Sequence, residues 1–179
     1  MQADAGDLTQ QAWAHYYLAW GSDELSDSRT AMKHNREAAD LFDAAGDAHG
    51  VVQNMLSLAL HLVRIDKAPQ ALAETSRARA YLAGARDRME PHIVLTTTIT
   101  LHSLTDRSHG GLGHCEEAAT HLETAAGLSC TNGLPTLEGF ALFYLGEVWL
   151  TAGREANALH AFPRCLARTP VPAAEFASI

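Results

Sequence analysis

The chain has 179 residues, 47% hydrophobic and 19% charged, which is the balance of one globular domain and excludes a disordered polypeptide. A formal net charge of −8, with lysine only at Lys33 and Lys67, leaves no clustered basic face for nucleic acid. Cys115, Cys130 and Cys165 form an odd, widely spaced set, the N-terminus has no basic or apolar run, and no segment approaches 18 uninterrupted apolar residues. These features predict a cytoplasmic chain with no disulfide framework, signal peptide or transmembrane helix.

Apolar periodicity and helix breakers mark eight helices in chain order. The first spans about Leu8 to Trp20 and meets a polar stretch from Gly21 to Ser28. The second runs from Thr30 to Ala45 and stops at Gly46, a residue suited to a left-handed helix end. The third, Val51 to Ile65, carries Leu58, Leu62 and Ile65 on one face, and the fourth starts at Pro69 and reaches Ala83. The fifth begins near Glu90 and Pro91 and ends at Thr105. Its run from Thr96 to Thr100 is β-branched and intrinsically poor in a helix, but the repeat described below favours helix there. Residues Arg107 to Gly113, with glycines at 110, 111 and 113, read as an inserted mobile loop. Helices six to eight cover Cys115–Ala126, Leu137–Ala152 and the segment from Arg154 to Arg168, with a kink expected at Pro163. The tail 171–179 reads as irregular.

A spacing recurs along these helices. Leu18–Ala19, Leu58–Ala59 and Leu145–Gly146 are each followed, twelve residues after the small residue, by Ala31, Ala71 and Ala158. Seven residues on lie Ala38, Ala78 and Cys165; a fourth unit has Ala118 and Ala125, its first helix displaced by about seven residues. The anchor alanines thus recur at steps near 40 residues, the mark of stacked supersecondary units. Small residues let two antiparallel helices approach closely, and each pair leaves an apolar face that only the next can cover. The expected fold is an all-α solenoid of four antiparallel helix pairs, with units at about 8–46, 47–84, 85–128 and 129–169.

Asn54–Ala78 and Leu142–Phe162 resemble tetratricopeptide repeats. The latter carries the Leu145–Gly146 pair, Trp149, Gly153, Ala158 and Phe162 in the family's places. The length of the units, with the phrase Leu41–Asp47, is similar to repeats that form sensor segments of large bacterial transcriptional regulators. The resemblance implies a right-handed superhelix whose first helices line a concave groove. Its partner-facing residues would be Trp13, Tyr16, Trp20 and Asp23 in the first unit, and Gln53, Leu56, Leu60 and Val63, with Arg64 adjacent, in the second. With Ile99 in the small residue's place, the third unit offers Ile93, Thr96, Thr100 and Ser103; the fourth offers Phe140, Phe143, Glu147 and Leu150. Such a groove suits an amphipathic helix, an extended apolar peptide or an apolar small molecule. The alternatives are that these aromatics are core, buried by helix curvature or by the tail, or that a homodimer hides the patch.

Candidate chemistry is sparse. His102, His109, His114, Cys115 and His121 are metal-ligand types, but their spacing matches no closed site, so no metal or cofactor is assigned. His114 and Cys115 imitate a base and nucleophile, yet sequence neighbours on a helix point apart. Gly110, Gly111 and Gly113 do not make a phosphate loop, because no apolar strand precedes them and no Lys–Ser/Thr ending follows. The expected function is non-catalytic binding of a protein or peptide by a scaffold. The alternatives are a small-molecule- or metal-binding protein and a self-associating module.

Overall fold

The computed structural model describes residues 5–110 and 113–168; the expected tail 171–179 and residues 111–112 of the expected loop lie outside them. Eight α-helices and one 3-10 turn make up the described regular structure: α1 (Ala5–Glu24), α2 (Ser28–Ala45), α3 (Ala48–Arg64), α4 (Ala68–Ala85), the turn Arg86–Arg88, α5 (Pro91–Gly110), α6 (Cys115–Thr131), α7 (Pro135–Thr151) and α8 (Glu155–Arg168). None of the described helices is long and apolar enough to cross a membrane.

Each anchor alanine is the fourth residue of its helix, and Ala31, Ala71, Ala118 and Ala158 are all buried where that helix crosses its partner. Ala19, Ala59 and Gly146 are buried opposite them, as are Ala38, Ala78, Ala125 and Cys165 seven residues on. Small side chains at these points allow α1–α2, α3–α4, α5–α6 and α7–α8 to close into hairpins. Every hairpin turn has a residue with positive φ five positions before its anchor: Ser26, Asp66, Gly113 and Gly153, at φ 60°, 58°, 78° and 69°. The next N–H then reaches back to the last turn of the helix, as Arg154 does to the Trp149 carbonyl at 2.8 Å and Lys67 to that of Leu62 at 2.8 Å.

The third unit departs from the expected register. α5 runs on to Gly110, so four residues assigned to a loop are helical. Its extra length is distributed: three residues in the connection carrying the 3-10 turn, three in the longer α5 and one in the hairpin turn. Consequently Asp106, not Ile99, stands twelve residues before Ala118 in the place of Ala19, Ala59 and Gly146, and it is 1% exposed. Sequence spacing misplaced it because an aspartate does not look like a helix-contact residue. The threonine run of α5 is helical, since Thr96, Thr98, Thr100 and Thr105 return their hydroxyls to carbonyls of the preceding turn at 2.7–3.0 Å.

The hairpins stack through α2–α3, α4–α5 and α6–α7. The first helices also meet one another, as α1–α3, α3–α5 and α5–α7, more closely than successive second helices do. That asymmetry curves the array with α1, α3, α5 and α7 on its inner side. Two rings fill notches left by glycine: Phe42 of α2 against Gly50, and Phe162 of α8 against Gly146.

Candidate functional site

The inner face carries most of the side chains expected to meet a partner, but they differ in availability. Trp20 and Phe140, on α1 and α7 at opposite ends of the array, are 52% and 54% exposed. Trp13 is half-buried instead, edge-on to Tyr16 at 5.2 Å and to Phe42 at 5.0 Å, and so belongs to the packing of the first unit. Tyr16 is half-buried beside it, and burial first, with Tyr17 second, pushes its pKa up. Leu56 is 4% exposed and lies in the core shared by α3, α4 and α5, out of a partner's reach; Leu60 is half-buried on the rim of that cluster. Phe143 is half-buried between Tyr144 at 5.5 Å and Phe162 at 6.3 Å.

The polar residues are largely engaged within the array. Gln53 donates to Thr97 of α5 at 3.5 Å. Arg64 donates to Asp23 at 2.8 Å and to Glu24 at 2.6 Å, tying α3 to the end of α1, and the Glu24 bond first among its contacts raises its pKa. His61, buried next to it, hydrogen-bonds the same Asp23 carboxylate. Thr96 and Thr100 are half-buried, with their hydroxyls turned to their own helix. The seven-residue change in register moves both threonines along the same stripe of α5 without turning them off the inner face, since seven residues are close to two helical turns.

Between the first helices of the last three units lies a cleft of roughly 210 Å³, lined by Val63 of α3, Asp106 of α5, Cys115 of α6 and, on α7, Tyr144, Glu147, Val148 and Thr151. Val63 and Glu147 were expected there. Asp106, Tyr144 and Val148 were not, because their positions follow from the corrected register of α5 and from the way α7 packs against it. The cleft joins apolar walls to the exposed Glu147 and the half-buried Tyr144, with Asp106 buried at its floor, a setting for an apolar segment that carries a hydrogen-bond donor or a positive charge.

The histidines of the third unit do approach one another, contrary to their sequence spacing. His102 and His121 place their Nδ1 atoms 3.1 Å apart across α5 and α6, and His109 stacks on His121 at 5.6 Å between ring centroids and lies 5.7 Å from His114. Burial first, and Arg79 or a neighbouring histidine next, holds His102, His109 and His121 below the ordinary histidine pKa.

No protein-family model and no curated protein matches the chain. Among solved structures it is similar to a Rap protein complexed with Competence and Sporulation Factor, at a TM-score of 0.75 and 19% identity over 95% of this chain and 44% of that one. It is also similar to aspartyl phosphate phosphatase F from Bacillus subtilis, at a TM-score of 0.74 and 15% identity over 88% of this chain and 39% of that one. The fold is a tetratricopeptide-like α-solenoid. At these identities the likeness is one of fold, and the chain spans less than half the length of either protein.

Proposed function

We propose that this chain is a non-catalytic scaffold that binds a protein or peptide segment along the inner face of its first helices. The observation that carries the reading is the open cleft of α3, α5 and α7 with the exposed Glu147 on its wall, together with the exposed rings of Trp20 on α1 and Phe140 on α7. An amphipathic or extended segment with an apolar anchor and a lysine or arginine fits that chemistry. One similar structure, the Rap protein, holds the Competence and Sporulation Factor, which supports an analogous peptide-binding use here. On this reading the chain works in the cytosol as the interaction or sensor segment of a bacterial regulator.

A displayed random-peptide library selected against the wild-type chain tests this. The expected result is enrichment of basic-apolar peptides that bind Glu147→Lys and Trp20→Ala at least about tenfold more weakly, a loss of ~1.4 kcal/mol each. Peptides that bind both variants as well as the wild type would refute the groove. A second reading, self-association, is favoured by Leu159 and Leu166, seven residues apart on α8 and both exposed. Light-scattering mass across a dilution series separates the two: a dimer abolished by Leu159→Glu places the interface on α8.

A further inference from the structure

We infer that the first hairpin is a binding site for a divalent transition-metal ion held by His15, His34 and Glu37. His15 comes from α1, and His34 and Glu37, three residues apart, from the facing side of α2. The two Nδ1 atoms are 2.9 Å apart, and each lies 3.0 Å from the same carboxylate oxygen, Oε2 of Glu37. Among the described residues this is the group that brings three ligand atoms from His, Cys, Asp or Glu within 4.8 Å of one another. The side chains are 30%, 17% and 39% exposed, sheltered by the hairpin yet open to solvent on one side. Lys33 approaches only the other oxygen, Oε1, at 3.9 Å.

Hydrogen bonding leaves this triangle crowded: two Nδ1–H groups can both donate to Oε2 of Glu37 only by standing 2.9 Å from each other, and a bare Nδ1 sets its lone pair against that carboxylate oxygen at 3.0 Å. A divalent cation would take Nδ1 of His15, Nδ1 of His34 and Oε2 of Glu37 together as ligands, with its outer side left to water or a further ligand. Two imidazoles and a carboxylate select zinc, nickel or cobalt over the all-oxygen ions calcium and magnesium.

The third hairpin supplies an internal comparison. His102 and His121 are separated by the same 19 residues as His15 and His34. They occupy the same register about their anchor alanine. Their rings make the same 38° tilt, at 5.4 Å against 5.1 Å. The place of Glu37 is taken there by Thr124, and the Arg79 charge acts on both imidazoles. The pair therefore recurs without its carboxylate and beside a competing cation, so that among the described residues it is the first hairpin that completes the set of three ligands.

The test is isothermal titration of zinc chloride into the full chain, free of any histidine tag, and into Glu37→Gln, His34→Asn and His121→Asn, with circular dichroism to verify helicity. One equivalent is expected for the wild type and for His121→Asn, binding at least about tenfold weaker for Glu37→Gln, and none for His34→Asn. Should His34→Asn lose helicity, the partly exposed and isosteric Glu37→Gln decides. Absence of zinc binding by the wild type, equal binding by Glu37→Gln, or loss confined to His121→Asn overturns the assignment.

Discussion

Replacing Gly50 by alanine probes the close approach of α3 to the Phe42 ring of α2. A Cβ built there lies 2.0 Å from Cδ1, 2.2 Å from Cε1 and 2.7 Å from Cγ of Phe42. Ordinary carbon contacts are about 3.5–4.0 Å, so the ring must retreat by more than about 1 Å. It has nowhere to go, because Phe42 is fully buried and Trp13 stands edge-on to it at 5.0 Å. Overpacking of this kind costs about 1–3 kcal/mol. Alanine returns at most about 1 kcal/mol of helix propensity. Gly127→Ala in α6 is the control, since it takes the same propensity gain with nothing within 4 Å of its Cβ. Thermal unfolding followed by circular dichroism should therefore place Gly50→Ala about 2–12 °C below Gly127→Ala, at about 2–4 °C per kcal/mol for a chain of this size. Adding Phe42→Leu should recover part of the loss if the ring is its cause. A Gly50→Ala chain as stable as Gly127→Ala would refute the close approach of α2 and α3.

Two further outcomes follow from the same structure. Asp66 and Ser26 hold the left-handed turn conformation that Gly113 and Gly153 hold in the other hairpins. Asp66→Gly should thus raise stability by up to about 1 kcal/mol, with Gly153→Ala lowering it by about 1, as read in urea titrations. The pH dependence has a defined sign. His102, His109 and His121 have pKa values depressed below 6.5 in the folded chain, burial being the first cause for each, so below that pH the unfolded chain takes up protons first. Their contribution is present above pH 6.5 and lost as the pH falls through their depressed values. The drop in melting temperature between pH 7.5 and 5.5 should accordingly be smaller for His102→Asn than for the wild type; an equal drop would mean that this cluster is not what senses acid.

What was legible in the sequence is what repeats locally. The twelve-plus-seven spacing of Ala19, Ala31 and Ala38 and its echoes marked the first, second and fourth hairpins, because small residues at a helix crossing let two helices approach closely, whereas the third crossing has Asp106 opposite Ala118 and carries no such signal on its first helix. The turn positions were half legible: Gly153 announced itself, whereas Ser26 and Asp66 adopt the same backbone without glycine. The groove was less readable. The Leu56 and Trp20 positions look alike as periodic apolar residues on first helices, yet one is core and the other surface, since burial depends on the neighbouring hairpin.

The sequence by itself determined an all-α repeat and its four anchors, and the tetratricopeptide resemblance implied which helices line its inner side. Only the tertiary structure decided that the extra residues of the third unit are spread along α5 and its connections, which seats Asp106 at the crossing and sets it in the cleft with Glu147. It alone brought His15, His34 and Glu37 to one point. The reason is geometric: periodicity along one helix specifies which face a residue occupies, but the meeting of side chains from two helices depends on the rotation and offset of both, and these are set by packing across the hairpin.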